Sequence, residues 1–297
     1  MEISFLPQLI AQLTEAKSID LAQSIQRQEL ATPLSNSAIA TAYVQKGTGN
    51  PPILLLHGFD SSVLEFRRLL PILAIQTQTW AVDLLGFGFT DRIAEIKLSP
   101  SAIATHLYYF WKTLINQPVI LVGASMGGAA AIDFTLTYPQ AVRKLVLIDS
   151  AGFSAGSAMG KFMFPPLDYL ATQFLRNPKV RASISQTAYK DKSLASQDAQ
   201  QCAALHLNMP GWSQSLIAFT KSGGYNSFQT KLAQIQQPTP ILWGDSDKIL
   251  GITDAEKFNR AIAHSKLIWV ENSGHIPHLE QPQITAQHIL DFSAPGN

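Results

Sequence analysis

A serine between two glycines constrains this chain more than any other feature of its sequence. Residues 123–127 are Gly-Ala-Ser-Met-Gly, placed between the apolar run 119–122 and small residues that predict a helix to about Thr137. In a strand–turn–helix context, the G-x-S-x-G pattern is typical of a strained turn that exposes the serine hydroxyl. Glycines suit this turn because a Cβ at either position would crowd it. We therefore predict that Ser125 is a nucleophile at the end of a buried strand.

A second copy of the pattern offers an alternative nucleophile. Residues 152–156 are Gly-Phe-Ser-Ala-Gly, with Ser154 at the centre, and they also follow a strand-like run. Further glycines and the pair Pro165-Pro166 leave no continuous helix after this copy. The strand–turn–helix context therefore favours Ser125 over Ser154.

Short apolar runs alternate with helix-length segments along most of the chain. The strand-like runs are 53–56, 79–82, 119–122, 145–148, 241–243 and 267–270. Strands that are apolar throughout are typically buried on both faces of a parallel sheet. The sequence thus predicts an α/β fold, with a mainly parallel twisted sheet and helices on both faces. Residues 39–44 predict an additional edge strand.

The alternation stops between residues 153 and 235, which predicts a mostly helical lid over the C-terminal edge of the sheet. We accordingly divide the chain into an N-terminal helical extension (1–34), an α/β core domain (35–152 and 236–297) and the lid (153–235). The lid contains more Lys and Arg than Asp. This excess fits either a solvated basic face or attraction to an anionic lipid or substrate.

Charge and cysteine content limit the classes of function. With 22 Lys and Arg against 21 Asp and Glu, nothing favours a nucleic-acid partner. The single cysteine, Cys202, excludes an internal disulfide and fits a reducing compartment. We find neither a secretory signal nor an apolar run long enough for a transmembrane helix, so we expect a cytoplasmic protein. Apolar residues at helical spacing in 3–25 predict a helix that packs on the body or, alternatively, makes a peripheral contact with a membrane or partner.

A serine nucleophile needs a general base and an acid that orients the base. His275 is the best-placed base because it lies in a loop after the last strand-like run, where the sites of α/β proteins assemble. His278 competes with it. For the acid we favour Asp247, which follows a strand-like run and precedes His275 by 28 residues. Asp245 and Asp149 remain alternatives because each also follows such a run.

The same mechanism requires two donors for an oxyanion. We predict that they are the backbone N–H of Phe59, in a glycine-containing turn after a strand, and that of Met126, at the positive end of the next helix. His57 suits a structural hydrogen bond better than a second base. A metal site formed by His278 and Glu280 with the predicted base has no partner elsewhere in the sequence, so we predict no metal and no cofactor.

Five motifs share their order and spacing with one known family. They are His-Gly-Phe at 57–59, Asp-Leu-Leu-Gly-Phe-Gly at 83–88, Gly-Ala-Ser-Met-Gly-Gly at 123–128, Trp-Gly-Asp-Ser-Asp at 243–247 and Gly-His-Ile-Pro-His at 274–278. Through them the chain resembles the α/β-hydrolase superfamily, in a lidded branch similar to serine esterases and lipases, over about residues 35–295. The resemblance implies that Asp83 and Gly86 shape a loop beside the oxyanion hole.

The resemblance also implies a reaction. It predicts hydrolysis of a carboxylic ester of a largely apolar small molecule or lipid through an acyl-enzyme. Aromatic residues of the lid, chiefly Phe162, Phe164 and Trp212, are expected to line the substrate pocket. Serine at position 125 excludes the lidded relatives that need aspartate there, the haloalkane dehalogenases and epoxide hydrolases.

Other members of the superfamily remain alternatives. Carbon–carbon bond hydrolases share the triad, but they typically have Asn before the nucleophile and Trp after the catalytic His, where this chain has Ala124 and Ile276. Cofactor-free perhydrolases also share the triad. A ligand-binding receptor without catalysis is the alternative from another class, although such a protein need not retain an intact triad.

Overall fold

The computed structural model describes residues 6–154 and 165–293. Its strands are β1 (Gln26–Leu30), β2 (Ile39–Lys46), β3 (Ile53–Leu56), β4 (Thr79–Val82), β5 (Val119–Ala124), β6 (Val142–Ile148), β7 (Thr239–Gly244) and β8 (Ser265–Val270). They form one eight-stranded sheet in the order β1-β2-β4-β3-β5-β6-β7-β8. All neighbours from β4 to β8 pair in parallel, whereas β2 is antiparallel to both β1 and β4. The predicted mainly parallel α/β fold is confirmed.

Helices connect the strands. They are α1 (Leu6–Ile10), α2 (Ala16–Gln23), α3 (Leu70–Leu73), α4 (Pro100–Phe110), α5 (Met126–Thr137), α6 (Leu167–Arg176), α7 (Pro178–Ala188), α8 (Gln197–Cys202), α9 (Trp212–Lys221), α10 (Thr253–Ala261), α11 (Pro277–Glu280) and α12 (Pro282–Ser293). Helix α4 starts as its sequence indicates, because Pro100 occupies the first turn and the Ser99 hydroxyl accepts a hydrogen bond from the Ala102 N–H at 3.3 Å.

The central strands are buried on both faces of the sheet. Side chains alternate between the two faces of a strand, so Leu54 and Leu56 of β3 pack with α4 and α5, whereas Ile53 and Leu55 pack with α2, α3 and α12. No side chain of β3 is exposed. The apolar runs therefore mark strands that have helices on both sides. Because the strands from β4 to β8 are parallel, their C-terminal ends lie at one edge of the sheet.

Two details at the sheet margins differ from the prediction. Residues 39–46 do not form the edge, because β1 pairs outside β2 with Gln26 opposite Tyr43. The sequence does not indicate strand β1, because four of its five residues are polar. This strand occupies part of the predicted helical extension. Strand β8 is not buried on both faces, since it forms the other edge and leaves Trp269 exposed.

Between β6 and β7 the chain contains α6 to α9 and no strand within residues 165–235. We call residues 165–235 the cap segment. Phe162 and Phe164 lie outside the described residues, and the division of the chain into extension, core and lid stays a prediction. No helix within residues 6–154 and 165–293 has the length and apolar composition needed to cross a bilayer.

Candidate active site

Ser125 lies in a strained turn between β5 and α5. Its φ of 53° and ψ of −119° place a non-glycine residue in a sparsely populated backbone region. The Ser125 N–H donates to the Ile148 carbonyl at 3.0 Å, and the Ser125 carbonyl accepts from the Gly128 N–H at 2.9 Å. The neighbouring strand and the first turn of α5 thus hold the serine in this conformation.

The glycines around Ser125 are required by close approaches of the backbone. A Cβ on Gly123 would clash with the Gly127 carbonyl, and a Cβ on Gly127 would clash with the carbonyls of Leu56 and His57. Both clashes involve main-chain atoms, which cannot move aside as a flexible side chain could. Helix α5 can therefore start close to β3 only with glycine at these positions.

His275 and Asp247 form a hydrogen-bonded pair. His275 Nδ1 lies 3.0 Å from Asp247 Oδ2, and both side chains are buried. The other carboxylate oxygen of Asp247 accepts hydrogen bonds from the N–H groups of Ile249 at 2.7 Å and Leu250 at 3.2 Å. Since the carboxylate accepts from Nδ1–H, the geometry leaves His275 Nε2 as the unprotonated nitrogen.

The alternative acids lie elsewhere. Asp245 contacts Lys190 Nζ at 3.2 Å and accepts from the N–H groups of Asn272 and Ser273, at 3.1 and 3.4 Å, so it braces the loop that carries His275. Asp149 ends β6 with a φ of 39° and accepts from the Gly244 N–H at 3.0 Å. Neither is within hydrogen-bonding distance of His275 among the described contacts.

Asp149 nevertheless belongs to the electrostatic environment of the pair. One ligand atom from each of Asp149, Asp247 and His275 lies within 4.8 Å of the others. Burial and the neighbouring Asp247 carboxylate raise the pKa of Asp149 well above its usual value. Both effects favour the protonated form of the Asp149 carboxyl group. A metal ion would have to compete for Asp247 with three hydrogen bonds that it already accepts.

His278 and Glu280 have contacts of their own. His278 Nε2 lies 3.3 Å from Glu65 Oε1, and the other Glu65 oxygen accepts from the Gly58 N–H at 3.0 Å. The Glu280 carboxylate accepts from the N–H groups of Gly274, Lys190 and Asp191, at 2.6, 2.9 and 2.9 Å. The first contact supports the turn before Phe59, and the second ties the cap segment to the loop of His275.

The two predicted oxyanion donors flank the serine. Phe59 borders the same cavity as Ser125, and Met126 is the first residue of α5. Neither backbone N–H has an acceptor among the described residues. His57 is buried between the Gly58 carbonyl at 2.8 Å and the Leu84 N–H at 3.1 Å, and burial lowers its pKa to about 4. A neutral His57 thus shapes the turn that presents Phe59.

Ser125 and His275 border a cavity of about 310 Å³ between the sheet edge and the cap segment. Apolar side chains form most of its wall, among them Phe59, Leu64, Leu175, Ile184, Ile249 and Leu279. Arg67 is also in the wall and is 2% exposed. The cavity therefore suits a mostly apolar group that reaches the serine from the cap side.

Trp212 does not line this cavity, contrary to the expectation for the lid aromatics. It is buried, and its indole N–H donates to Asp60 Oδ1 at 2.7 Å. The same carboxylate accepts from His206 Nε2 at 3.0 Å and from Arg181 Nη1 at 2.7 Å. Sequence reasoning missed Asp60, and the only available signal was its place directly after Phe59.

Residues 51–282 match the family model described as the alpha/beta hydrolase fold. The chain belongs to the α/β-hydrolase family. This membership confirms the predicted resemblance and makes the protein part of a family of hydrolases.

Individual relatives of this α/β-hydrolase differ in reaction. It is 35% identical to the alpha/beta hydrolase domain-containing protein VTE7 of Arabidopsis thaliana, over 98% of this chain and 90% of the relative. It is 28% identical to 2-hydroxy-6-oxo-2,4-heptadienoate hydrolase of Pseudomonas putida, over 84% and 90%. The solved structure of carboxylesterase CesB from Bacillus subtilis superposes with a TM-score of 0.77 at 21% identity, covering 98% of both chains. The last likeness concerns the fold alone.

Proposed function

We propose that this α/β-hydrolase is a serine hydrolase that cleaves a carboxylic ester of a largely apolar small molecule or lipid. The observation that carries the proposal is the arrangement of a strained Ser125 and a His275–Asp247 pair at 3.0 Å around one mostly apolar cavity. A nucleophile, an oriented base and a mostly apolar binding cavity are the components of a site for acyl transfer.

In the acylation step, Ser125 Oγ attacks the ester carbonyl carbon and His275 Nε2 accepts the hydroxyl proton. Asp247 stabilises the imidazolium that forms, because it accepts from Nδ1–H. The carbonyl oxygen becomes an oxyanion, which the N–H groups of Phe59 and Met126 bind. Collapse of this intermediate breaks the ester C–O bond, and His275 donates its proton to the leaving alkoxide.

In the deacylation step, water replaces the alcohol. His275 Nε2 removes a proton from the water as its oxygen attacks the acyl carbon, and a second oxyanion forms in the same place. Its collapse breaks the bond to Ser125 Oγ, which recovers the proton from His275. The products are a carboxylic acid and an alcohol, and the enzyme returns to its first state.

Carbon–carbon bond hydrolysis is the second candidate, and one observation favours it. Arg67 is buried in the cavity wall with no carboxylate in ion-pair distance among the described residues, so it suits an anionic substrate group such as a carboxylate. Ala124 and Ile276, where such hydrolases typically have Asn and Trp, count against it. The ester hypothesis therefore leads.

A labelling experiment tests the proposal. The protein is incubated with a fluorophosphonate probe and with short- and long-chain p-nitrophenyl esters, as wild type, Ser125→Ala and Ser154→Ala. Ser154 is the matched control because it occupies the second G-x-S-x-G pattern, where its hydroxyl donates to Asp254 at 2.7 Å. We expect Ser125→Ala to abolish labelling and to lower kcat by about 10⁶, while Ser154→Ala keeps both.

The outcome distinguishes the candidates. Absence of labelling and of Ser125-dependent turnover on every ester refutes ester hydrolysis. Turnover of 2-hydroxy-6-oxo-2,4-heptadienoate without turnover of any ester would assign the carbon–carbon reaction instead. If Ser154→Ala rather than Ser125→Ala abolishes labelling, the nucleophile has been placed wrongly.

A further inference from the structure

Helix α6 turns three of its apolar residues to solvent and two of its polar residues to the protein. Leu167, Leu170 and Phe174 are 47%, 56% and 63% exposed. Their spacing of three and four residues places them on one face of the helix. Asp168 and Thr172 are buried on the inner side. This arrangement is the reverse of that in an ordinary surface helix, which buries its apolar stripe.

An ion pair anchors α6 in this orientation. The Asp168 carboxylate binds Lys221 Nζ of α9 at 2.8 Å, whereas the Thr172 hydroxyl is satisfied within α6, where it donates to the Tyr169 carbonyl at 2.8 Å. Turning the apolar residues inward would break the ion pair and expose the place that Asp168 now fills. The outward apolar residues are thus a consequence of how the helix is anchored to α9.

The exposed apolar surface continues to the entrance of the active-site cavity. Leu175 of the same helix lines the cavity. Ile184 of α7 lines it too and is 47% exposed. We call Leu167, Leu170, Phe174 and Ile184 the apolar cap face. Exposed apolar residues grouped on neighbouring helices typically mark a surface that binds a partner or a membrane.

Basic residues accompany this face. Arg176 and Lys179, at the junction of α6 and α7, are both exposed, and neither forms an ion pair with a carboxylate of the described residues. Arg176 lies over the Trp212 ring at 5.8 Å, a contact with a neutral partner that leaves the net positive charge of the guanidinium in place. The cap segment as a whole contains seven Lys or Arg and three Asp. Its field therefore attracts an anionic surface.

We propose that the apolar cap face docks this protein on an anionic lipid bilayer, with Leu170 and Phe174 among the acyl chains and Arg176 and Lys179 at the headgroups. Apolar side chains beside cations are the combination that binds such an interface. A second copy of the chain suits this face less well, because a two-fold contact would bring two cationic sets together. The inference goes beyond the proposed function, since docking requires no bond cleavage.

Vesicle flotation tests the proposal in the full-length chain carrying Ser125→Ala, so that the result does not depend on any catalytic activity. Phosphatidylcholine vesicles with and without phosphatidylglycerol are compared. We expect binding to the anionic vesicles that declines as salt is raised. Leu170→Ser with Phe174→Ser should weaken binding at least about tenfold. Arg176→Gln with Lys179→Gln should weaken it roughly 25-fold, since each cation contributes about fivefold.

Matched controls come from the opposite end of the sheet. Ile75, which precedes β4, is 81% exposed, and Arg143 is exposed near the start of β6. Ile75→Ser and Arg143→Gln should leave vesicle binding unchanged. Circular dichroism establishes that each variant is folded, and the Gln pair tests docking even if the Ser pair fails to fold.

Three results would overturn the proposal. The first is absence of wild-type binding to anionic vesicles. The second is equal binding by the cap-face variants and the Ile75 and Arg143 controls. The third is a concentration-dependent dimer in light scattering that the Leu170→Ser and Phe174→Ser pair abolishes, because it would assign the face to a second copy.

Discussion

Replacing Asp60 by alanine is expected to loosen the cap segment and to slow catalysis more than it weakens substrate binding. The Asp60 carboxylate accepts hydrogen bonds from Arg181, Trp212 and His206, all in the cap segment, at 2.7, 2.7 and 3.0 Å. Asp60 also follows Phe59 directly, and the Phe59 N–H is a proposed oxyanion donor. One carboxylate thus joins the cap segment to the loop that is proposed to stabilise the transition state.

The expected loss of stability follows from the groups left without a partner. Removing one member of a buried ion pair costs about 3–5 kcal/mol, and the lower value applies because the Arg181 side chain is 16% exposed. An unfolding entropy of about 2.1 cal/mol/K per residue gives about 0.6 kcal/mol/K for 297 residues. We therefore expect Asp60→Ala to lower Tm by about 5 °C. A displacement of the oxyanion donor by about 1 Å would lower kcat about 100-fold.

The same contacts make this contribution depend on pH. Burial raises the pKa of Asp60, but the His206 hydrogen bond and the Arg181 charge outweigh burial and lower the pKa to about 2. Burial also lowers the pKa of His206, so the positive charge beside Asp60 comes from Arg181. A carboxylate with a folded pKa below its unfolded value of about 3.9 stabilises the fold above that pH. The contribution, about 2.5 kcal/mol, is lost as pH falls towards the folded pKa.

Calorimetry and ester kinetics measure these effects. Tm is recorded for wild type and Asp60→Ala at neutral pH and through the acid range, with kcat and KM on a p-nitrophenyl ester. Asp20→Ala is the control, since its ion pair with Lys46 lies at the surface and contributes less than about 1 kcal/mol. An unchanged Tm, or a Tm difference that does not shrink in acid, refutes the reasoning on stability. A rise in KM with kcat intact refutes the link to Phe59.

Four further substitutions address the site. Asp247→Asn should lower kcat by about 10⁴ through loss of the correct His275 tautomer. Asp245→Asn should lower kcat far less. The reverse order of these two effects in ester kinetics would exchange the roles of the two residues. Gly127→Ala should cost about 1–3 kcal/mol in calorimetry, and a wild-type Tm would show that α5 can shift away from β3. Asp149→Asn should retain kcat within severalfold, because burial and the neighbouring Asp247 favour the protonated form of Asp149 and asparagine is a neutral side chain of similar shape. A loss as large as that of Asp247→Asn would assign Asp149 a role as a charged group.

Much of the fold can be predicted from the sequence, because a strand that is buried on both faces of the sheet is apolar at nearly every position. Strands such as β3 and β4 are apolar at every position, apart from Thr79, and the structure has them within the predicted bounds. The turn at Ser125 was predictable for a different reason, since glycine at 123 and 127 reflects close backbone approaches that no other residue allows. Strand β1 does not show the apolar pattern because its polar residues face solvent along an edge.

The contacts of the cap segment could not be predicted in this way. Asp60 meets Arg181, His206 and Trp212 at separations of 121, 146 and 152 residues. No local period links an acid in one loop to donors in three separate cap elements. Trp212 illustrates the difficulty. From the sequence, an aromatic residue in a lid whose ring lines the cavity looks the same as one whose N–H donates to a buried carboxylate.

Contacts between the cap segment and the core reach two of the loops that carry proposed reacting groups. Asp60 connects it to the Phe59 turn, the Ala188 carbonyl accepts from the His275 N–H at 2.8 Å, and Glu280 binds cap N–H groups beside that histidine. Part of the wall of the cavity that Ser125 borders comes from the cap segment. Because the same segment shapes this wall and supports the loops, a change in its packing should alter substrate choice and turnover together.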